Sequence, residues 1–112
     1  MDAFVAKELL AGLDSSGHDF AEFFRSSTLS LTVAHWPAGS VDGQEPHTED
    51  EVYVVLAGRS RFTAGTETRE VRPGDVIFVA AEVPHRFHDI VEELRIVVVF
   101  GPAEYSRAPA AG

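Results

Sequence analysis

The feature that most constrains this chain is the regular alternation of short apolar runs with turns built on glycine or proline. Leu29, Leu31 and Val33 alternate with Ser30, Thr32 and Ala34, the period of a half-buried strand. Further apolar runs occupy residues 52–57, 76–79, 84–87 and 94–100. Between them stand Pro37-Ala38-Gly39, Asp42-Gly43, Ala57-Gly58, Ala64-Gly65 and Pro73-Gly74-Asp75, all turn signals. Short strands at this spacing predict an all-β sandwich or barrel. Ile96, Val97, Val98 and Val99 are four consecutive β-branched residues, which favours a strand buried on both faces over a helix.

The start of the chain has a different texture. Phe4, Val5, Leu9, Leu10 and Leu13 recur at helical intervals, predicting a short helix over roughly residues 3–12 that Gly12 or Gly17 could end. The segment 102–112 is rich in Ala, Pro and Gly and is expected to fray. The 112 residues make one domain, with the barrel over roughly residues 20–101, and a chain of this size buries about two-thirds of its extended surface. It needs no disulfide to fold, and it has no cysteine.

Charge and composition narrow the function. A formal charge of −9 and an isoelectric point near 4.8 repel phosphate backbones and anionic lipid, so neither a nucleic-acid partner nor a membrane partner is expected. Met1-Asp2-Ala3-Phe4 lacks a basic leader, and no apolar run is long enough to cross a bilayer. A cytoplasmic location is the expectation. Without cysteine, any bound metal must be held by nitrogen and oxygen.

His47, Glu51 and His85 are residue types that form such a set, each beside an expected strand boundary. On one straight strand His47 and Glu51 would lie about 13 Å apart, whereas bonds to a metal are about 2 Å. The backbone must therefore turn between them. Thr48-Glu49-Asp50 is read as a polar hairpin connection, with His47 ending one strand and Glu51 opening the next.

At this point the chain resembles the cupins, over roughly residues 29–100. The first cupin motif is matched in spacing by Gly39, Glu45-Pro46-His47, Glu51 and Gly58; the second by Gly74, Ala80, Glu82, His85 and Asp89. Four identities depart from the pattern: Glu45 for His, Ala80 for Pro, Glu82 for Gly and Asp89 for Asn. The resemblance implies a jelly-roll-like β-barrel holding one divalent metal ion (Fe, Mn, Ni or Zn). It also implies a homodimer. Carried over residue by residue, the ligands are His47, Glu51 and His85, and the missing histidine leaves Glu45 or Gln44 to complete the shell. Two histidines and one carboxylate match the ligand set of non-haem iron oxygenases.

Other residues are weighed beside these. Phe87 shares the strand parity of His85 and is expected to line the pocket, while His88 should face outward. His35 is in phase with Leu29, Leu31 and Val33, which points it toward the barrel interior; with Glu45 it is a candidate acid or base. Tyr53 and Phe78 are candidate cavity residues, Arg61 a candidate anchor for a substrate carboxylate, and His18 is read as solvated. Ser26-Ser27-Thr28 has no nearby base to activate a nucleophile and is read as a turn. Three functions fit: a metal-dependent enzyme acting on a small molecule by dioxygenase-like or isomerase/lyase-like chemistry, a non-catalytic binding or sensing barrel, and a storage-type barrel with a vestigial site.

Overall fold

The computed structural model describes residues 1–108. Helix α1 (Ala6–Ser16) is followed by six strands: β1 (Phe20–Arg25), β2 (Ser30–Trp36), β3 (Asp50–Ala64), β4 (Glu67–Val71), β5 (Val76–Val79) and β6 (His85–Gly101). All pairings are antiparallel, in the order β1-β2-β6-β3-β4, with β5 also paired to β3, along the edge opposite β6. This is the expected all-β architecture with one short helix.

The helix starts and ends later than expected, because Gly12 is accommodated within it and Gly17, in the left-handed conformation, ends it. Leu10 and Leu13 bury against Val33, with Leu9, Phe23 and Val97 around them. The runs expected at residues 84–87 and 94–100 belong to one long strand, β6.

β3 and β6 pair along most of their length, and their register slips between Val55 and Arg61. An extra residue in one strand reverses which side chains face inward, and both strands use this. In β3 the buried positions are Glu51, Tyr53 and Val55, then Ser60 and Phe62; in β6 they are His85 and Phe87, then Ile90, Leu94, Ile96, Val98 and Phe100. Gly58 makes the first reversal possible: its φ is 98°, and a Cβ there would lie 2.2 Å from the Glu93 carbonyl oxygen. Asp89 marks the second, with φ 49°, in a region where Asp is among the tolerated side chains.

The interior core is continuous from Val71, Leu94 and Ile90 through Phe62 and Phe87 to Tyr53 and Phe100. The aromatic rings interlock, with Phe62 and Phe87 centroids 4.6 Å apart and Tyr53 and Phe87 5.0 Å apart. Past Tyr53 the barrel opens into a cavity of about 610 Å³.

Candidate metal centre

Three elements bring the expected trio together. Glu51 opens β3 on its inward face, paired with Val79 of β5 and Phe100 of β6. His85 opens β6. His47 is not at the end of a strand, as expected, but in the extended segment leading to β3; residues 37–49 contain no strand. Its carbonyl accepts a hydrogen bond from Glu82 N–H at 2.8 Å, which ties this segment to the β5–β6 connection. Its ring packs on Phe100, with centroids 4.9 Å apart.

Both imidazoles aim at the same carboxylate oxygen. His47 Nδ1 lies 3.2 Å from Glu51 Oε1, and His85 Nε2 lies 2.5 Å from it. One ligand atom from each of the three residues falls within 4.8 Å of the other two. The Nδ1 of His85 stands 2.8 Å from the Val83 carbonyl, so it carries the proton and donates, leaving the neutral ring a lone pair on Nε2. A lone pair facing a carboxylate oxygen requires a cation between them, either a proton or a metal. The second oxygen, Glu51 Oε2, is buried with no hydrogen-bond partner among the described residues. Such an orphaned atom is costly unless something binds it. The donor set therefore fits a divalent ion held by His47, Glu51 and His85.

In the metal-free state, protons play the cation's part. Burial lowers the His47 pKa, but hydrogen bonds with Glu104 and Glu51 outweigh it, and the value is pushed up to about 10. Burial likewise opposes the charged form of His85, and Glu51 overcomes it, raising its pKa. Burial raises that of Glu51, yet the two histidines bring it below the usual carboxylate value.

Around the trio runs a buried polar chain. Tyr53 Oη lies 3.0 Å from His85 Nε2 and donates to Gln44 Oε1 at 3.2 Å; Gln44 Nε2 donates to Asp42 Oδ2 at 2.7 Å. The same Asp42 oxygen accepts the Phe87 N–H at 2.9 Å. Burial, reinforced by the Glu51 charge, holds the Tyr53 hydroxyl protonated far above its ordinary pKa. Gln44 thus reaches His85 only through Tyr53, with both ends of its amide engaged. Glu45 is exposed at the cavity mouth and lies outside the His47, Glu51 and His85 cluster.

Several side chains stand elsewhere than expected. His35 faces the outside of the barrel, because Thr32, Ala34 and Trp36 are the β2 residues that line the cavity. The Leu31, Val33 and His35 face is apolar because α1 packs on it, and His35 binds Glu93 and the His18 carbonyl. Phe78 is 63% exposed on the outer face of β5, and Arg61 is exposed on β3, opposite His88. Phe87 points inward but is buried in the core and is not among the residues that line the cavity, and His88 faces the other way, against Thr63 and Asp89.

Besides Asp42, which reads only as a turn residue, two more acidic residues are not marked by the sequence. Glu49 reads as a turn residue, yet it is 1% exposed and accepts the backbone N–H groups of Tyr105 and Arg107 at 2.7 and 2.9 Å. Those bonds, added to one from Thr48, lower its pKa despite burial. The segment expected to fray is therefore tethered by its backbone as far as Arg107, with Ala103 2% exposed although the Tyr105 side chain stays exposed; residues 109–112 lie outside the described residues. It carries Glu104, whose Oε2 lies 3.3 Å from His47 Nε2. Neither cupin motif extends that far, so no local signal marks Glu104.

A family model for the cupin domain matches residues 32–100. The chain belongs to the cupin family. It is 42% identical over 104 residues to the uncharacterized protein SCO3923 of Streptomyces coelicolor, covering 93% of this chain and 99% of that protein. It is also 35% identical over 63 residues to the dimethylsulfoniopropionate lyase DddQ of Ruegeria pomeroyi, covering 55% of this chain but only 31% of the lyase. The crystal structure of that lyase superposes with a TM-score of 0.68 at 26% identity, over 82% of this chain and 50% of the lyase chain. TT1209 from Thermus thermophilus shares the cupin fold over 92% of this chain and 99% of its own, at a TM-score of 0.70 and 22% identity.

Proposed function

We propose that this cupin is a metal-dependent enzyme that performs lyase- or isomerase-type chemistry on a small molecule in the barrel mouth. The observation that carries this reading is the convergence of His47 Nδ1 and His85 Nε2 on one oxygen of Glu51, beside a cavity of about 610 Å³. His47, Glu51 and His85 would hold one divalent ion, with Fe, Mn, Ni and Zn all suited to nitrogen and oxygen donors. When bound, the ion supplies Lewis-acid polarisation of a substrate oxygen. With a single carboxylate ligand the ion itself would keep positive charge with which to polarise a substrate oxygen.

The chain's own residues complete the pocket. Thr32 Oγ1 is buried, without a partner among the described residues, on a side chain that lines the cavity and can hydrogen-bond a ligand. Trp36, Val98 and Phe100 supply an apolar wall that excludes water. The resemblance to a lyase favours elimination over dioxygenation. That same apolar wall favours the second reading, a barrel that binds a small molecule without turning it over. A homodimer is also part of the proposal, supported by Val76 and Phe78, 64% and 63% exposed on the outer face of β5.

The test is to load the protein with each of the four metals and incubate it with dimethylsulfoniopropionate and a panel of small carboxylates, following substrate and product by proton NMR. Turnover of at least one compound, lost in His85→Ala, is expected. Tight binding of a panel member with no turnover under any metal would replace the enzyme with the binding barrel.

A further inference from the structure

We infer that the C-terminal segment is part of the metal centre: Glu104 holds His47 by Nε2, so that Nδ1 is the nitrogen presented to the ion. Glu104 is then a positioning residue, acting through His47. This rests on the metal-binding reading above.

The two nitrogens of an imidazole point in divergent directions, so a group bonded to one cannot share a metal bound at the other. His47 Nδ1 faces Glu51 Oε1 at 3.2 Å, and Nε2 faces Glu104 Oε2 at 3.3 Å. A metal-bound histidine almost always donates its other ring N–H to a carboxylate or carbonyl, which fixes the ring and its tautomer. His85 has such a partner in the Val83 carbonyl, two residues away. Glu104 fills the equivalent place for His47. The orphaned Glu51 Oε2 is an independent sign that the carboxylate faced by His47 Nδ1 is built to bind a cation.

Glu104 is held in place from several directions. Its N–H donates to Ser30 Oγ at 2.9 Å, and its carbonyl accepts from Arg25 Nη2 at 2.7 Å. Immediately beyond it, Glu49 grips the Tyr105 and Arg107 N–H groups. Burying a carboxylate such as Glu49, two residues from His47, is costly unless it is fully bonded, and here it fixes the backbone that carries Glu104. The Glu104 side chain is itself only 14% exposed. Glu45, the acidic residue that replaces the motif's first histidine, has no comparable anchorage among the described residues and is exposed.

The experiment titrates Co²⁺ into the full chain, its Glu104→Gln, Glu45→Gln and His85→Ala variants, with a chelator competitor and the visible cobalt spectrum as readouts. Nitrogen-15 NMR of the Zn²⁺-loaded wild type identifies the coordinating His47 nitrogen. Expected are an affinity loss of about 10–100-fold in Glu104→Gln with an altered cobalt spectrum, no change in Glu45→Gln, and His47 bound through Nδ1 with Nε2 protonated. Wild-type affinity and spectrum in Glu104→Gln, while His85→Ala loses the metal, would overturn the role of Glu104 and leave the metal centre standing. Coordination through His47 Nε2 would overturn it as well. No cobalt uptake by the wild type would remove the metal centre and this role together.

Discussion

The two histidines of the site are held in opposite ways. His85 begins a strand, is 7% exposed, and has its ring fixed by a carbonyl two residues upstream. His47 lies in a strandless segment, and its ring is bracketed by Glu51 and by Glu104, a residue far along the chain. One arm is built from local backbone geometry and the other from a long-range ion pair. The local arm can be read from a motif. The remote arm depends on a segment that no motif covers, and it is the one a small change at the end of the chain would disturb.

The change that should break both arms at once is Glu51→Ala, which removes the oxygen that His47 and His85 share. It should abolish stoichiometric metal uptake and leave two imidazoles facing a hole, as metal analysis of the purified variant would show. Gly58→Ala should act on the frame and not on either arm. The alanine would be strained at φ 98° and would collide with the Glu93 carbonyl, costing about 1–3 kcal/mol or more of stability. Denaturant melts should register that loss, while metal affinity of the folded fraction stays at the wild-type level.

A smaller effect separates the arms through pH. The folded pKa of His47, about 10, lies above its ordinary 6.5, because hydrogen bonds with Glu104 and Glu51 overcome burial. A raised histidine pKa stabilises the fold fully below pH 6.5 and loses that stabilisation as pH climbs to about 10. The metal-free protein should therefore weaken across that window in chemical denaturation. Glu104→Gln should shrink the loss by removing the Glu104 part of the His47 share, leaving the part due to Glu51 and that of His85. Metal-loaded protein should show little of it, because the ion displaces the protons.

Much of the fold is legible in the sequence because strand alternation and turn residues act over a few neighbours. The run at residues 76–79 is β5, and the helical spacing of Leu9, Leu10 and Leu13 is the docked face of α1. β1 is not legible in this way: Phe20–Arg25 is an edge strand with a bulge and shows no clean alternation of burial. Phase misdirects His35 for a related reason. The outer face of β2 is as apolar as an inner one because α1 covers it, so phase alone does not say which side is the cavity. In the site, His47, Glu51 and His85 are readable because cupin spacing marks them. Glu49 and Glu104 are not, since each matters only through a contact between distant parts of the chain.

The most direct test of the metal centre is anomalous diffraction, at the metal's absorption edge, from crystals of the full chain grown with Mn²⁺ or Zn²⁺. The expected result is a single strong peak in the barrel mouth, about 2 Å from nitrogens of His47 and His85 and an oxygen of Glu51. An empty mouth at full metal concentration, or a peak bound by other residues, would contradict it.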